Sequence, residues 1–288
     1  MRIDHLEESP IQRCGRVILG NVGFMSSDFM IWIVLATKMA VTALFVTAAT
    51  TVAERLGATV GALVATLPVS AGPVYVFLAL DHDSAFISAS AVASLALNSA
   101  TAIYLTVYVL IAQRRSMWPS ISLAFAIWLV AVLLLSLVNW TAWWALALNI
   151  AVFTACSFIV QPFDSVRIPP TTRRWYDFVL RAGLVAALVG VVVTLSFHIG
   201  PTGSGILAVF PVIYMSIMLI LHRRIGGLAT AAVLANAVPA LAGFGVALLT
   251  LHLTAVPLGS APALVVALGV SVAWNAIIYA MRRRQSLA

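Results

Sequence analysis

Acidic side chains are nearly missing from the apolar parts of this sequence. The nine present, Asp4, Glu7, Glu8, Asp28, Glu54, Asp81, Asp83, Asp164 and Asp177, all fall in loops or at the ends of apolar runs. A proton- or sodium-coupled antiporter usually carries an intramembrane carboxylate, and a membrane hydrolase or prenyl transferase needs paired carboxylates or a metal cluster. Neither pattern is here, so the expectation is a non-enzyme with no metal site and no cofactor. Asp81-His82-Asp83 is three neighbours in a turn, which reads as a solvated corner rather than an ion site. Cysteine is as sparse: Cys14 and Cys156 have no redox or zinc-like spacing. No Ser/His/Asp arrangement, phosphate-cradling loop or haem motif occurs either.

Charge of any sign is low, at 9% of residues, against about 25% in a soluble domain. Hydrophobic residues make up 62%, and the mean hydropathy is +1.08. This is the composition of an integral membrane protein whose surroundings are the lipid bilayer. The net charge of +7 does not imply nucleic acid, because the basic residues sit in short clusters between long apolar runs.

Crossing roughly 30 Å of hydrocarbon takes about 20 apolar residues. Nine such segments are expected, near 31–53, 58–80, 85–112, 119–138, 142–160, 176–197, 203–221, 226–252 and 262–281. None alternates polar with apolar as a barrel strand does. Residues 1–30 form a polar tail without the apolar core of a signal peptide, and Met25 or Met30 is an alternative start that would leave residues 1–24 untranslated. Arg55, Arg114, Arg115, Arg167, Arg173, Arg174, Arg223, Arg224, Arg282, Arg283 and Arg284 share one side, eleven of the sixteen basic residues. Only Arg2, Arg13 and Arg16 fall on the other. The positive-inside rule then puts the C-terminus in the cytoplasm and the N-terminus in the periplasm. Trp118 and Trp175 mark the inner interface, and Trp140, Trp143 and Trp144 the outer.

A phrase recurs. Residues 57–68 read GATVGALVATLP and residues 200–211 read GPTGSGILAVFP, 143 positions apart. The same shift superposes Lys38 on Arg181, Thr51 on Thr194, Val69 on Val212 and Pro119 on Pro262. The third and eighth segments need a compensating gap, which sets Asn98 opposite Asn236. The fifth segment has no counterpart, and one extra crossing inverts whatever follows it. The expected fold is an all-α polytopic membrane protein of about nine transmembrane helices, arranged as two inverted four-helix repeats with one linking helix. The tail covers 1–30, the first repeat 31–138, the linking helix and cytoplasmic loop 139–175, and the second repeat 176–288.

Pro68 and Pro211 each lie 11 residues beyond their Gly, about 16 Å, which is near mid-bilayer. A proline there frees a carbonyl and removes an N–H, and symmetric Gly/Pro-interrupted helices point to a transporter's midplane site. Lys38, Thr59, Pro68, Asn98, Arg181, Thr202, Ser204, Pro211 and Asn236 are the expected substrate-binding residues. Lys38 and Arg181, alone among the basic residues in lying within segments, have no acidic partner evident in the sequence and read as cationic mouths on opposite faces, or as side chains snorkelling to the headgroups. Asn149 and Asn275 read as interhelical hydrogen-bonding residues.

A basic residue early in one segment, then Gly and an apolar run ending in Leu-Pro, resembles the GlpM-like small inner-membrane proteins, which are about one unit long. Lys38, Gly57, Leu67 and Pro68 carry the likeness, with Arg181, Gly200 and Pro211 in the second unit, where Phe210 replaces the Leu. The resemblance implies a bacterial inner-membrane protein and an association with exopolysaccharide production, and supplies no catalytic residues. The expected function is a secondary transporter or flippase-like permease for a small organic anion or an anionic lipid-linked molecule, working as a homo-oligomer or in an envelope-biosynthesis complex. The alternative is a non-transporting scaffold subunit for envelope polysaccharide biosynthesis.

Overall fold

The computed structural model describes residues 29–48, 51, 71–163 and 175–285. Among these the chain is helical, with no strand. α1 covers Phe29–Ala48, α2 Ala71–Asp81, α3 Ser84–Ile111, α4 Met117–Ser136 and α5 Ala142–Val160. α6 covers Trp175–Ala208, α7 Val212–Leu258 and α8 Ser260–Gln285. Six helical stretches are long and apolar enough to cross a membrane: Phe29–Ala48, Ser84–Ile111, Met117–Ser136, Ala142–Phe163, Val179–Leu258 and Ser260–Met281. The chain is a multi-pass α-helical membrane protein, as its composition requires.

The 80-residue stretch Val179–Leu258 doubles back twice. Along a straight helix Asp177 and Arg224 would stand about 70 Å apart, yet their charged atoms meet at 2.6 Å. The first reversal is at Gly200, whose φ of 67° only glycine adopts freely, and Pro201 opens the next leg where a missing N–H costs nothing. The second is at Gly226, with φ 82°. Before it, α7 runs alongside α3 in the same direction, Tyr104 meeting Met218 and Tyr108 meeting His222. After it the direction is opposite, with Asn98 reaching Leu241 and Ser88 reaching His252. The legs 175–199, 201–225 and 227–258 thus match the sixth, seventh and eighth apolar segments. The difference is that single glycines turn the chain where the sequence suggested short loops.

α3 is the central helix, buried along most of its apolar length and packed against α4, α5, α6 and α7. Its small residues, among them Ser90, Ala91, Ser94, Ala96 and Ala100, let neighbouring backbones come close, which is how helices associate in lipid. Asp83 starts it, its carboxylate accepting the Phe86 N–H at 2.8 Å. α1, α4, α5 and α8 instead turn large apolar side chains outward, such as Trp32, Leu133, Phe158 and Val265.

Two apolar clusters are stacked along α3. One gathers Ile87, Ala91 and Leu95 with Leu78 of α2 and Val189 of α6. The other gathers Tyr104 and Tyr108 with Trp128 of α4 and Met218 of α7. They divide at Asn98 and Ser99, halfway along this 28-residue helix and about 21 Å from either end.

Candidate functional site

Polar groups collect where the two clusters meet. Asn98 Nδ2 donates to Asn149 Oδ1 at 3.3 Å and to the Leu241 carbonyl at 3.2 Å. Asn149, on α5, donates to the Leu95 carbonyl and to Ser99 Oγ, the latter at 3.2 Å. Both asparagines are buried. Gly245 admits this arrangement, because a Cβ there would lie 2.6 Å from Asn149 Oδ1. Asn98 Oδ1 and, on α4, Trp128 Nε1 are buried with no hydrogen-bond partner among the described residues. That leaves one acceptor and one donor in a region where an unmet polar group is costly.

Beside this layer a helix is broken. α6 ends at Ala208, α7 begins at Val212, and Pro211 between them has φ −79° and ψ 44°. Proline has no N–H to give the Leu207 carbonyl; the Phe210 N–H takes it at 3.1 Å, and the Val212 N–H folds back to the Phe210 carbonyl at 2.8 Å. The Val209 carbonyl, left outside any helix, accepts from Thr101 Oγ1 at 3.4 Å. Phe210 fills the gap, its ring 5.2 Å from Trp128 and 6.0 Å from Phe125, and it touches both apolar clusters. The short leg Pro201–Ala208 is clamped against α3: Ser94 Oγ donates to the Gly205 carbonyl at 2.7 Å, Tyr75 of α2 hydrogen-bonds Ser94 at 2.6 Å, and a Cβ at Gly205 would run into the Ser90 carbonyl oxygen.

Of the residues expected to bind substrate, Asn98 and Pro211 belong to this region; Thr101, one turn along α3 from Asn98, bonds the Val209 carbonyl two residues before Pro211. Ser204 is buried and directs its hydroxyl to the Gly200 carbonyl at 2.9 Å. Asn236 bonds the Ala232 carbonyl one turn back on its own helix, at 2.9 Å. Thr202 is exposed. Arg181 is on α6, one turn beyond Asp177. Thr59 and Pro68 lie outside the described residues.

Lys38 is not the unpaired cation expected from the sequence. Its Nζ stands 2.6 Å from both carboxylate oxygens of Asp81, half-buried and 5.8 Å above the Phe77 ring. Asp177 likewise is buried rather than solvated. Both its oxygens accept from Arg224, at 2.6 and 2.7 Å, and that guanidinium lies 5.3 Å over Tyr176. The Asp81-His82-Asp83 corner is divided among three tasks: Asp81 holds Lys38, His82 Nε2 meets Ser196 Oγ at 2.8 Å while stacking on Phe86, and Asp83 caps α3. Among the described residues no cluster could hold a metal ion. The two ion pairs sit at opposite ends of α3. Asp81 precedes its start, while Arg224 precedes Gly227, whose backbone packs on the Ala112 carbonyl just past its end.

The sequence reading did not single out Thr101 or Trp128, and it gave Asp81 and Arg224 no partner. One signal was available, since the 143-residue shift sets Asp81 on Arg224, a charge on a charge of opposite sign. Comparison of the chain with family models, with curated proteins and with solved structures gives no match.

Proposed function

We propose that this chain is a bacterial inner-membrane permease of nine crossings, built as two inverted four-helix units, that carries a small organic anion or an anionic lipid-linked molecule past the polar layer at Asn98 and the helix break at Pro211. The supporting observation is that layer itself. Interrupted backbone, buried amides and an unmet acceptor and donor lie midway along the central helix, where lipid-facing structure tolerates none of them. The matching break at Pro68 is part of this proposal.

One end of a charged tie recurs at the 143-residue shift, Asp81 on Arg224, while the partners Lys38 and Asp177 stand 139 positions apart, about one helical turn off that register, and this recurrence supports the inverted arrangement. In each unit the end of the helix that follows the repeated phrase is bound to the helix before it, by Asp81 to Lys38 in one and by Arg224 to Asp177 in the other. With the C-terminus cytoplasmic, the first pair closes the periplasmic end and the second the cytoplasmic end. Motif likeness to the GlpM-like proteins fits an inner-membrane setting, and a homo-oligomer or an envelope-biosynthesis complex fits the broad apolar outer faces.

A second reading, a non-transporting scaffold subunit, is favoured by a groove of about 550 Å³ between α5, α7 and α8. Phe153, Phe158, Pro239 and Trp274 are among its lining residues. Uptake by proteoliposomes separates the two. Challenged with short carboxylates and organic phosphates, a permease accumulates at least one class, and N98L abolishes that uptake while leaving the protein folded. A folded wild-type protein that moves none of them favours the scaffold.

A further inference from the structure

A second cavity, away from the midplane, has a different chemistry. It is a pocket of about 400 Å³ at the end of the bundle where α4 begins, α6 begins and the 201–225 leg of the chain ends. Arg223 and Arg224 form its polar side, Leu180, Leu219 and Ile220 its apolar side, and Trp118 and Tyr176 its aromatic rim. Arg223 is exposed and makes no ion pair among the described residues. Arg224 uses one N–H on each terminal nitrogen for Asp177, and a guanidinium has five. Asp177 cancels one charge, so the pocket keeps a net positive charge centred on Arg223. Arg114 and Arg115 lie exposed in the turn just before α4, adding to the positive field at this end.

We propose that this pocket binds the phosphate of an anionic phospholipid from the adjoining leaflet. A soluble phosphate has no use for the three aliphatic walls, whereas a lipid presents a phosphate, a glycerol backbone and the first methylenes of its chains in that order. Trp118 and Tyr176 are exposed, and in the proposed orientation their amphipathic rings fall at headgroup level. Arg223 supplies the charge-assisted hydrogen bonds to phosphate oxygens, while Arg224, held by Asp177 and stacked over Tyr176, forms the fixed wall against which the headgroup rests. The site is independent of whether the chain transports anything.

The test uses the full-length protein, extracted into micelles holding equal amounts of phosphatidylglycerol and phosphatidylcholine, with retained lipid counted by native mass spectrometry. The wild type should keep phosphatidylglycerol in preference. R223Q should weaken that retention about tenfold or more, the loss of a hydrogen bond between charged groups. R223K should lose less, and R114Q, outside the pocket, should stay near wild type. Equal retention of both lipids by the wild type overturns the proposal, as does an R114Q loss as large as that of R223Q, which would mean diffuse surface attraction. Glycerol 3-phosphate displacing the lipid at equal concentration would also overturn it, making the pocket a site for a soluble anion.

Discussion

Asp81 and Arg224 stand 143 residues apart and do the same job with opposite charge. Asp81 closes on Lys38 at 2.6 Å and Arg224 on Asp177 at 2.6 Å, each fastening the last turn of one helix to the helix before it. On the proposed duplication, a bond is kept at this position while its sign reverses, so the position needs a tie rather than a particular residue.

Reversing the first pair should therefore be tolerated better than breaking it. D81N leaves Lys38 half-buried beside a neutral amide and should cost about 1.5–3 kcal/mol, the usual range for a hydrogen bond to a charged group. The double variant K38D/D81K should recover most of that. Thermal unfolding in detergent reads both, and a double variant no better than D81N would mean that the two charges do not act on each other.

Glycine substitutions should separate by what a Cβ meets. At Gly205 it meets the Ser90 carbonyl and at Gly227 the Ala112 carbonyl, both backbone atoms that cannot swing aside, while at Gly183 and Gly269 it meets nothing within 4 Å. G205A and G227A should lower the yield of folded protein sharply, and G183A and G269A should match wild type. Equal behaviour of all four would contradict the helix packing described.

Much of this architecture is legible in the sequence, because apolar length and punctuation by Gly, Pro and Arg are local signals. The break at Val209-Phe210-Pro211 is an example: a proline mid-segment announces itself. The partners of Lys38 and Arg224 are not legible, since they lie 43 and 47 residues away and depend on which helix faces which. Gly200 shows another limit. Composition marks a turn near 200, but only backbone geometry shows that one left-handed residue replaces a loop. Asn98 and Asn236 align in the sequence yet differ in space, because an asparagine's worth depends on the helix across from it, and Asn149 faces only the former.

Asn149 should matter more to function than to folding. Hydrogen bonds between membrane helices average about 0.6 kcal/mol and reach about 1.7, so N149L should unfold only slightly more easily than wild type. Its loss removes one of the two acceptors of Asn98 Nδ2 and a side-chain donor to the Leu95 carbonyl inside the polar layer, so uptake in proteoliposomes should fall by far more than the stability change explains. Unchanged uptake would place the layer outside the permeation path.

Reporter fusions address orientation. A fusion after residue 116, in the turn holding Arg114 and Arg115, should report cytoplasm, and one after residue 140, between α4 and α5, should report periplasm. The opposite pattern would turn the proposed topology over and exchange the sides assigned to the two ion pairs.

Access to the helix break bears most directly on whether this is a permease. With Cys14 and Cys156 replaced by Ser, F210C puts a single thiol in the gap between α6 and α7. A membrane-impermeant thiol reagent, applied to right-side-out and to inverted vesicles, should label that cysteine from both sides, since an alternating-access site opens to each in turn. D81N should raise labelling from the periplasmic side by loosening that end. Labelling from neither side, in the variant and its D81N derivative alike, would mean that position 210 is sealed within a static core and would contradict the permease.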